Sequence, residues 1–121
     1  MSVNEANELN RLNFEDLLWI IFALLCFANV YGDDLQKKYV KSHLNNYEKK
    51  SNQVFTFTLI VTLLIYIYFF LRNYNFYKLS SETNKDLYRI KVSGSVFLIV
   101  GVVFLIYFQV KNEDFIGSPS L

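Results

Sequence analysis

The stretch VFTFTLIVTLLIYIYFFL, Val54 to Leu71, decides the fold of this 121-residue chain. Its 18 residues carry no charge, and a helix needs roughly 20 apolar residues, with about 17 as a practical minimum, to cross the hydrocarbon core of a bilayer. Two further windows are long and apolar: LLWIIFALLCFANVY, Leu17 to Tyr31, and VSGSVFLIVGVVFLIYFQV, Val92 to Val110. The sequence therefore predicts an all-α fold, an integral membrane three-helix bundle.

The Leu17–Tyr31 window is the shortest, with 15 residues. It reaches the practical minimum only if its flanks contribute, so the alternative is two transmembrane helices plus an interfacial amphipathic helix. We expect a single membrane domain over residues 1–121, with spans at about 15–32, 53–72 and 90–110.

The segments outside these windows are predicted from their polarity. Gly32 is expected to break or bend the first helix, and residues 33–51 are expected to form an amphipathic connector at the headgroups. Ser80 or Ser81 is a candidate N-cap for the third helix. Residues 112–121 contain Gly117 and Pro119, which predicts a flexible tail.

One face of the second span carries hydroxyl groups. On a helical projection Thr58 and Thr62 share a side with Phe55 and Ile65, whereas isoleucine and leucine residues occupy the other side. Small hydroxylated residues let membrane helices approach closely and hydrogen-bond across the contact. Thr58 and Thr62 are therefore predicted helix-packing residues, although a threonine can also satisfy its own helix backbone.

The third span carries glycines at a seven-residue interval. Gly94 and Gly101 recur with Leu98, Leu105 and Phe108 at alternating steps of four and three, the pattern of a left-handed packing seam. Glycine costs about 1 kcal/mol relative to alanine inside a helix. The sequence therefore predicts close helix packing at Gly94 and Gly101.

The first span carries a polar arc. Glu15, Asn29 and Asp33 fall on one narrow side, and Asn29 lies within the apolar window, where a polar side chain usually faces a bundle or a wet cavity. One hypothesis is a polar lining formed by these three residues. The other is that Asn29 packs by hydrogen-bonding a neighbouring helix while Glu15 and Asp33 are solvated at the headgroups.

The composition argues against several functions. The chain is 53% hydrophobic with a formal net charge of +1, and no arginine-rich run supports binding to nucleic acid. His43 and Cys26 are the only histidine and cysteine, and no metal spacing, catalytic triad or phosphate loop is present. We therefore expect no enzymatic activity, no cofactor and no metal. Lysine and arginine are split six to six between the two sides, so the charge rule leaves the topology open.

The segments FTLIVTLLIYIYFFLRNYNFY, GSVFLIVGVVFLIYFQ and FIGSPSL resemble uncharacterised small membrane proteins of low-GC Gram-positive bacteria. The resemblance implies a multi-pass protein of the cell membrane and brings no activity. We expect a non-enzymatic accessory or structural subunit of a membrane assembly, packed in the bilayer against itself or a larger membrane protein. The alternatives are a small oligomeric pore, including the holin type, and a viral or envelope structural protein.

Overall fold

The computed structural model describes residues 2–111, 117 and 119, and over these residues the chain forms three α-helices. They are α1 (Val3–Ser42), α2 (Asn45–Leu79) and α3 (Lys85–Lys111). Each is long and apolar enough to cross a membrane. The predicted all-α three-helix bundle is confirmed.

The central helix is α2. It packs against α1 and against α3, whereas α1 and α3 make no pairing with each other among the described residues. Both pairs are antiparallel because a short connection reverses the chain after α1 and again after α2. The bundle is thus one layer of helices, and its interior lies along the two sides of α2.

The helix ends follow local capping chemistry. The Ser2 side chain accepts a hydrogen bond from the Glu5 backbone N–H at 3.2 Å and caps the start of α1. At the other end His43 adopts a left-handed conformation with φ of 58°, and its N–H donates to the Tyr39 carbonyl. This closure places the reversal at His43 and Leu44.

The predicted break at Gly32 and the separate connector are wrong. Helix α1 continues through Gly32 to Ser42, and residues 45–51 already belong to α2. Gly32 instead provides space for Phe55, because a Cβ at Gly32 would lie 2.5 Å from the Phe55 Cε1 atom. The glycine allows α1 and α2 to approach closely. Helix α1 ends only at the C-cap residue His43.

The third helix begins later than predicted. The Asn84 N–H donates to the Ser81 carbonyl at 3.0 Å, so residues 81–84 form a turn and α3 begins at Lys85. The predicted flexible tail falls mostly outside the described residues. Within it, the Gly117 N–H donates to the Gln36 side-chain oxygen at 2.9 Å.

The core of the bundle lies on the hydroxyl face of α2. Phe55, Thr58, Leu59 and Thr62 are completely buried, and Ile65 is nearly so. On the opposite face of α2 large apolar side chains are exposed, and they are Phe57, Ile60, Leu64, Ile67 and Leu71. This is the division into an inner and an outer face that the helical projection gives.

The predicted glycine seam of α3 is wrong for packing within the chain. Gly94 and Gly101 are exposed, and a Cβ added to either would meet nothing within 4 Å. The buried line of α3 is instead Ser95, Val102 and Gln109. Ser95 and Gln109 have hydrogen-bonding side chains with partners on α2, and a polar group is costly to leave unpaired in lipid. Those bonds, which glycine cannot make, account for the orientation of α3.

Candidate functional site

A carboxylate is buried between α1 and α2. Glu15 is 5% exposed. Its Oε2 atom accepts hydrogen bonds from Arg11 Nη1 at 3.0 Å and from Tyr68 Oη at 3.1 Å, and its Oε1 atom accepts from Arg72 Nη1 at 2.9 Å. A buried charge is tolerated when it is paired and hydrogen-bonded. The three donors meet both conditions for Glu15.

Two arginines surround this carboxylate. Arg11 also pairs with the exposed Glu8 at 2.7 Å, and its bonds to Glu8 and Glu15 raise the pKa of the Arg11 guanidinium above its ordinary value. The guanidinium carbons of Arg11 and Arg72 lie 5.1 and 5.8 Å from the centre of the Phe76 ring. The ring therefore offers both cations a cation–π contact.

The hydrogen bonds continue from α2 to α3. Arg72 donates to Asn73 Oδ1 through Nε at 3.2 Å and Nη2 at 2.9 Å. Asn73 Nδ2 in turn donates to Ser95 Oγ at 2.7 Å. The chain of bonds from Arg11 through Glu15, Arg72 and Asn73 to Ser95 joins α1, α2 and α3, and we call it the polar network.

Ser95→Ala tests the α3 end of the polar network. Losing this bond is expected to destabilise the fold by about 1 kcal/mol, in the range of hydrogen bonds between membrane helices. Ser93→Ala is the matched control, because the Ser93 hydroxyl donates to the Arg89 carbonyl of its own helix, as the Ser95 hydroxyl donates to the Lys91 carbonyl. Reversible unfolding in mixed detergent micelles measures both. Equal effects for the two variants would contradict the assigned bond.

A small cleft opens beside the polar network. It has a volume of about 190 Å³ and is lined by residues of all three helices, namely Trp19, Tyr66, Phe69, Arg72, Asn73, Ser95 and Leu98. Arg72, Asn73 and Ser95 provide its polar groups, and aromatic and apolar side chains provide the rest. The cleft is amphipathic, with a cation in its wall.

Further polar contacts between helices lie at other positions along the length of α2. Thr58 Oγ1 donates to Asn29 Oδ1 at 2.9 Å between α1 and α2, and Gln109 bonds Asn52 between α3 and α2. Asn52 and Asn73 are 21 positions apart on α2, which is about 31 Å at 1.5 Å per residue. This length matches the roughly 30 Å hydrocarbon core. The two amide contacts of α2 are therefore separated by about the thickness of that core.

The predicted packing residues differ in their surroundings. The single hydroxyl hydrogen of Thr58 is shared between Asn29 Oδ1, across the helix contact, and the Phe55 carbonyl of its own helix. The Thr62 hydroxyl donates to the Thr58 carbonyl of its own helix. Gly94 and Gly101 lie on the outer surface.

The predicted polar lining is not brought together. Glu15 is enclosed by the polar network, and Asn29 is bonded to Thr58. Asp33 lies in a different place, beside a shallow groove with Gln36, Lys37 and Gly117. The physical reason is that buried polar groups find partners within the chain, which leaves Glu15 and Asn29 unavailable as a common lining.

The sequence reasoning missed Arg11, Tyr68, Asn73 and Ser95. One signal was present: Arg72 shares the helical face of Thr58 and Thr62, so a cation on an inward face required an anion from another helix. Glu15 lies at the matching end of an antiparallel neighbour. Matching the charged residues that lie at the same end of two antiparallel helices would have predicted the contact between Glu15 and Arg72.

Among the described residues no three or more histidine, cysteine or acidic side chains come together as a metal site. No protein-family model, curated protein or solved structure matches this chain. Its three apolar helices define a small multi-pass membrane protein.

Proposed function

We propose that the chain is a non-enzymatic accessory or structural subunit of an assembly in the cell membrane, working by lateral helix packing. The observation that supports this proposal is that the buried polar side chains are hydrogen-bonded between helices. The Glu15 carboxylate already accepts from three donors, and Asn29 is bonded to Thr58. The Glu15 carboxylate and the Asn29 side-chain oxygen therefore hold helices together.

The outer faces of α1 and α3 support the same proposal. The apolar windows of both helices are only 11% buried within the chain. Their most exposed large side chains include Phe27, Phe97 and Phe104, each at least 70% exposed. A polar interior with apolar outer faces suits a rigid element that packs sideways against lipid or another membrane protein. The proposal includes the resemblance to small membrane proteins of low-GC Gram-positive bacteria, which suggests no enzymatic activity for the chain.

Gly101→Ile tests the packing function. The space around Gly101 is open within the chain, so the larger side chain is compatible with the fold. We expect the wild type to copurify with a larger membrane partner or a second copy in mild detergent, and we expect Gly101→Ile to release it. Native mass measurement of the complex gives the readout. Leu64→Ile, on the exposed face of α2, is the control and should keep the full mass. A wild-type chain that is monomeric and without a partner protein in native membrane extracts would contradict the proposal.

The pore alternative makes a different prediction for Asn29. Asn29→Leu removes the bond to Thr58 and is expected to destabilise the fold by about 0.6–1.7 kcal/mol. Because Asn29 lies between helices, we expect no ion flux through liposomes holding either the wild type or Asn29→Leu, relative to protein-free liposomes. Flux through the wild type that Asn29→Leu abolishes would favour the pore.

A further inference from the structure

We infer that the amphipathic cleft beside Arg72 binds the phosphate group of an anionic phospholipid. The inference goes beyond the proposed packing function, since it assigns a ligand site to a single copy of the chain. It depends on the donors of Arg72, the charge balance of the polar network and the position of the cleft in the membrane.

Arg72 has donors left over. A guanidinium carries five N–H groups. Three of them are used, by Glu15 and by the two bonds to Asn73 Oδ1. One N–H on each terminal nitrogen remains, and the side chain is 19% exposed where it lines the cleft. Two N–H groups on separate nitrogens of one plane suit two oxygens of a phosphate.

The sharing of one carboxylate between two arginines also favours an anion beside Arg72. Arg11 and Arg72 contribute two positive charges against the one negative charge of Glu15. Glu8 pairs with Arg11 on the exposed side, with a side chain that is 61% exposed. With Glu8 included the four side chains carry no net charge, but Glu15 is shared between Arg11 and Arg72 and so compensates Arg72, which lines the cleft, only in part.

The position of the cleft selects a lipid. Arg72 follows the uncharged stretch of α2 directly, so its guanidinium lies where phospholipid headgroups meet the acyl chains. Trp19, Phe69 and Leu98 give the cleft apolar walls that acyl and glycerol carbons can contact. Inorganic phosphate shares the anionic chemistry but cannot use these walls. We therefore assign the site to the phospholipid.

Trp19 provides a local readout, because it lines the cleft and is the only tryptophan of the chain. The chain is reconstituted in phosphatidylcholine bilayers containing brominated phosphatidylglycerol or, separately, brominated phosphatidylcholine. Quenching of Trp19 fluorescence against mole fraction gives the relative affinity of the two lipids. We expect a preference of about tenfold for phosphatidylglycerol, because both lipids offer a phosphate to Arg72 but the choline cation of phosphatidylcholine offsets its attraction to the guanidinium.

Two variants and a control identify the residue responsible. Arg72→Gln should reduce the preference to about the value of an uncharged surface, near onefold, because the guanidinium charge is lost. Lys91→Gln removes an exposed cation one turn before Ser95 and should leave the preference unchanged. Leu98→Phe narrows the cleft while keeping the polar network, and should lower the preference even if Arg72→Gln does not fold. Circular dichroism checks the fold of each variant.

Three results would overturn the assignment. The first is equal quenching by the two lipids in the wild type. The second is a loss of preference in Lys91→Gln as large as in a folded Arg72 or Leu98 variant, which would indicate general surface charge. The third is a response to inorganic phosphate in the detergent-solubilised chain. If millimolar phosphate changed the Trp19 emission as much as added phosphatidylglycerol does, the site would be one for the free anion.

Discussion

Replacing Glu15 with leucine is expected to lower the free energy of unfolding by about 3–5 kcal/mol, the usual cost of removing one partner of a buried ion pair. The variant leaves Arg72, with a side chain only 19% exposed, without its carboxylate. It also removes the acceptor of the Tyr68 hydroxyl. Equilibrium unfolding in mixed micelles of a mild detergent and sodium dodecyl sulfate measures the change.

A double variant distinguishes an unpaired charge from a simple loss of packing. Glu15→Leu combined with Arg72→Met removes the buried carboxylate and the arginine of α2 that pairs with it, while Arg11 keeps its pair with Glu8. Replacing a buried ion pair by apolar side chains is often neutral. We expect the double variant to recover more than half of the stability lost in Glu15→Leu. Glu8→Gln is the control, because Glu8 pairs with Arg11 at the exposed end, and it should cost little. Additive losses in the double variant would contradict the buried pair.

Replacing Gly32 with alanine is expected to destabilise the contact between α1 and α2 by about 1–3 kcal/mol, the usual cost of overpacking. The added Cβ would lie 2.5 Å from Phe55 Cε1 and 2.9 Å from Cζ. The Phe55 ring is completely buried and has little room to move, so the helices must separate. The same unfolding titration gives the magnitude.

Gly101→Ala is the matched control for Gly32→Ala. The position around Gly101 is open, and alanine is a better helix former than glycine by about 0.8–1.0 kcal/mol in soluble peptides. We expect the control to be neutral or stabilised. Phe55→Leu should cost less in the Gly32→Ala background than in the wild type, because a smaller side chain relieves the clash. A neutral Gly32→Ala would show that the two helices do not meet there.

The inner face of α2 could be predicted because two signals agree. The 18 uncharged residues of Val54–Leu71 specify a membrane helix, and the placement of Thr58 and Thr62 gives its inner side. The face of α3 could not be predicted from the same kind of pattern. Either the face with the two glycines or the face with Ser95 and Gln109 could pack against α2. The hydrogen-bond partners on α2 decide between the two faces, and only the three-dimensional arrangement shows those partners.

The polar network was only partly visible in the sequence. Glu15 lies on the predicted polar arc of α1, and Arg72 on the inner face of α2, but they are 57 residues apart in the chain. Their pairing depends on where α1 reverses into α2. The sequence predicts a break or bend at Gly32 and a connector over residues 33–51, whereas the helix continues for another ten residues to Ser42 and the chain reverses there. Because the end of α1 was placed incorrectly, the pairing of Glu15 with Arg72 near its beginning was not predicted.

The central claim is that the helices lie in lipid with the hydroxyl face of α2 turned towards protein. It is tested most directly by spin labels at single cysteines, in a Cys26→Ser background, in lipid nanodiscs. We predict high accessibility to molecular oxygen for labels at Leu64 and Val103, which are exposed, and low accessibility for a label at Thr62, which is completely buried. Equal oxygen accessibility at Thr62 and Leu64, in a chain whose helical content is unchanged, would contradict the account.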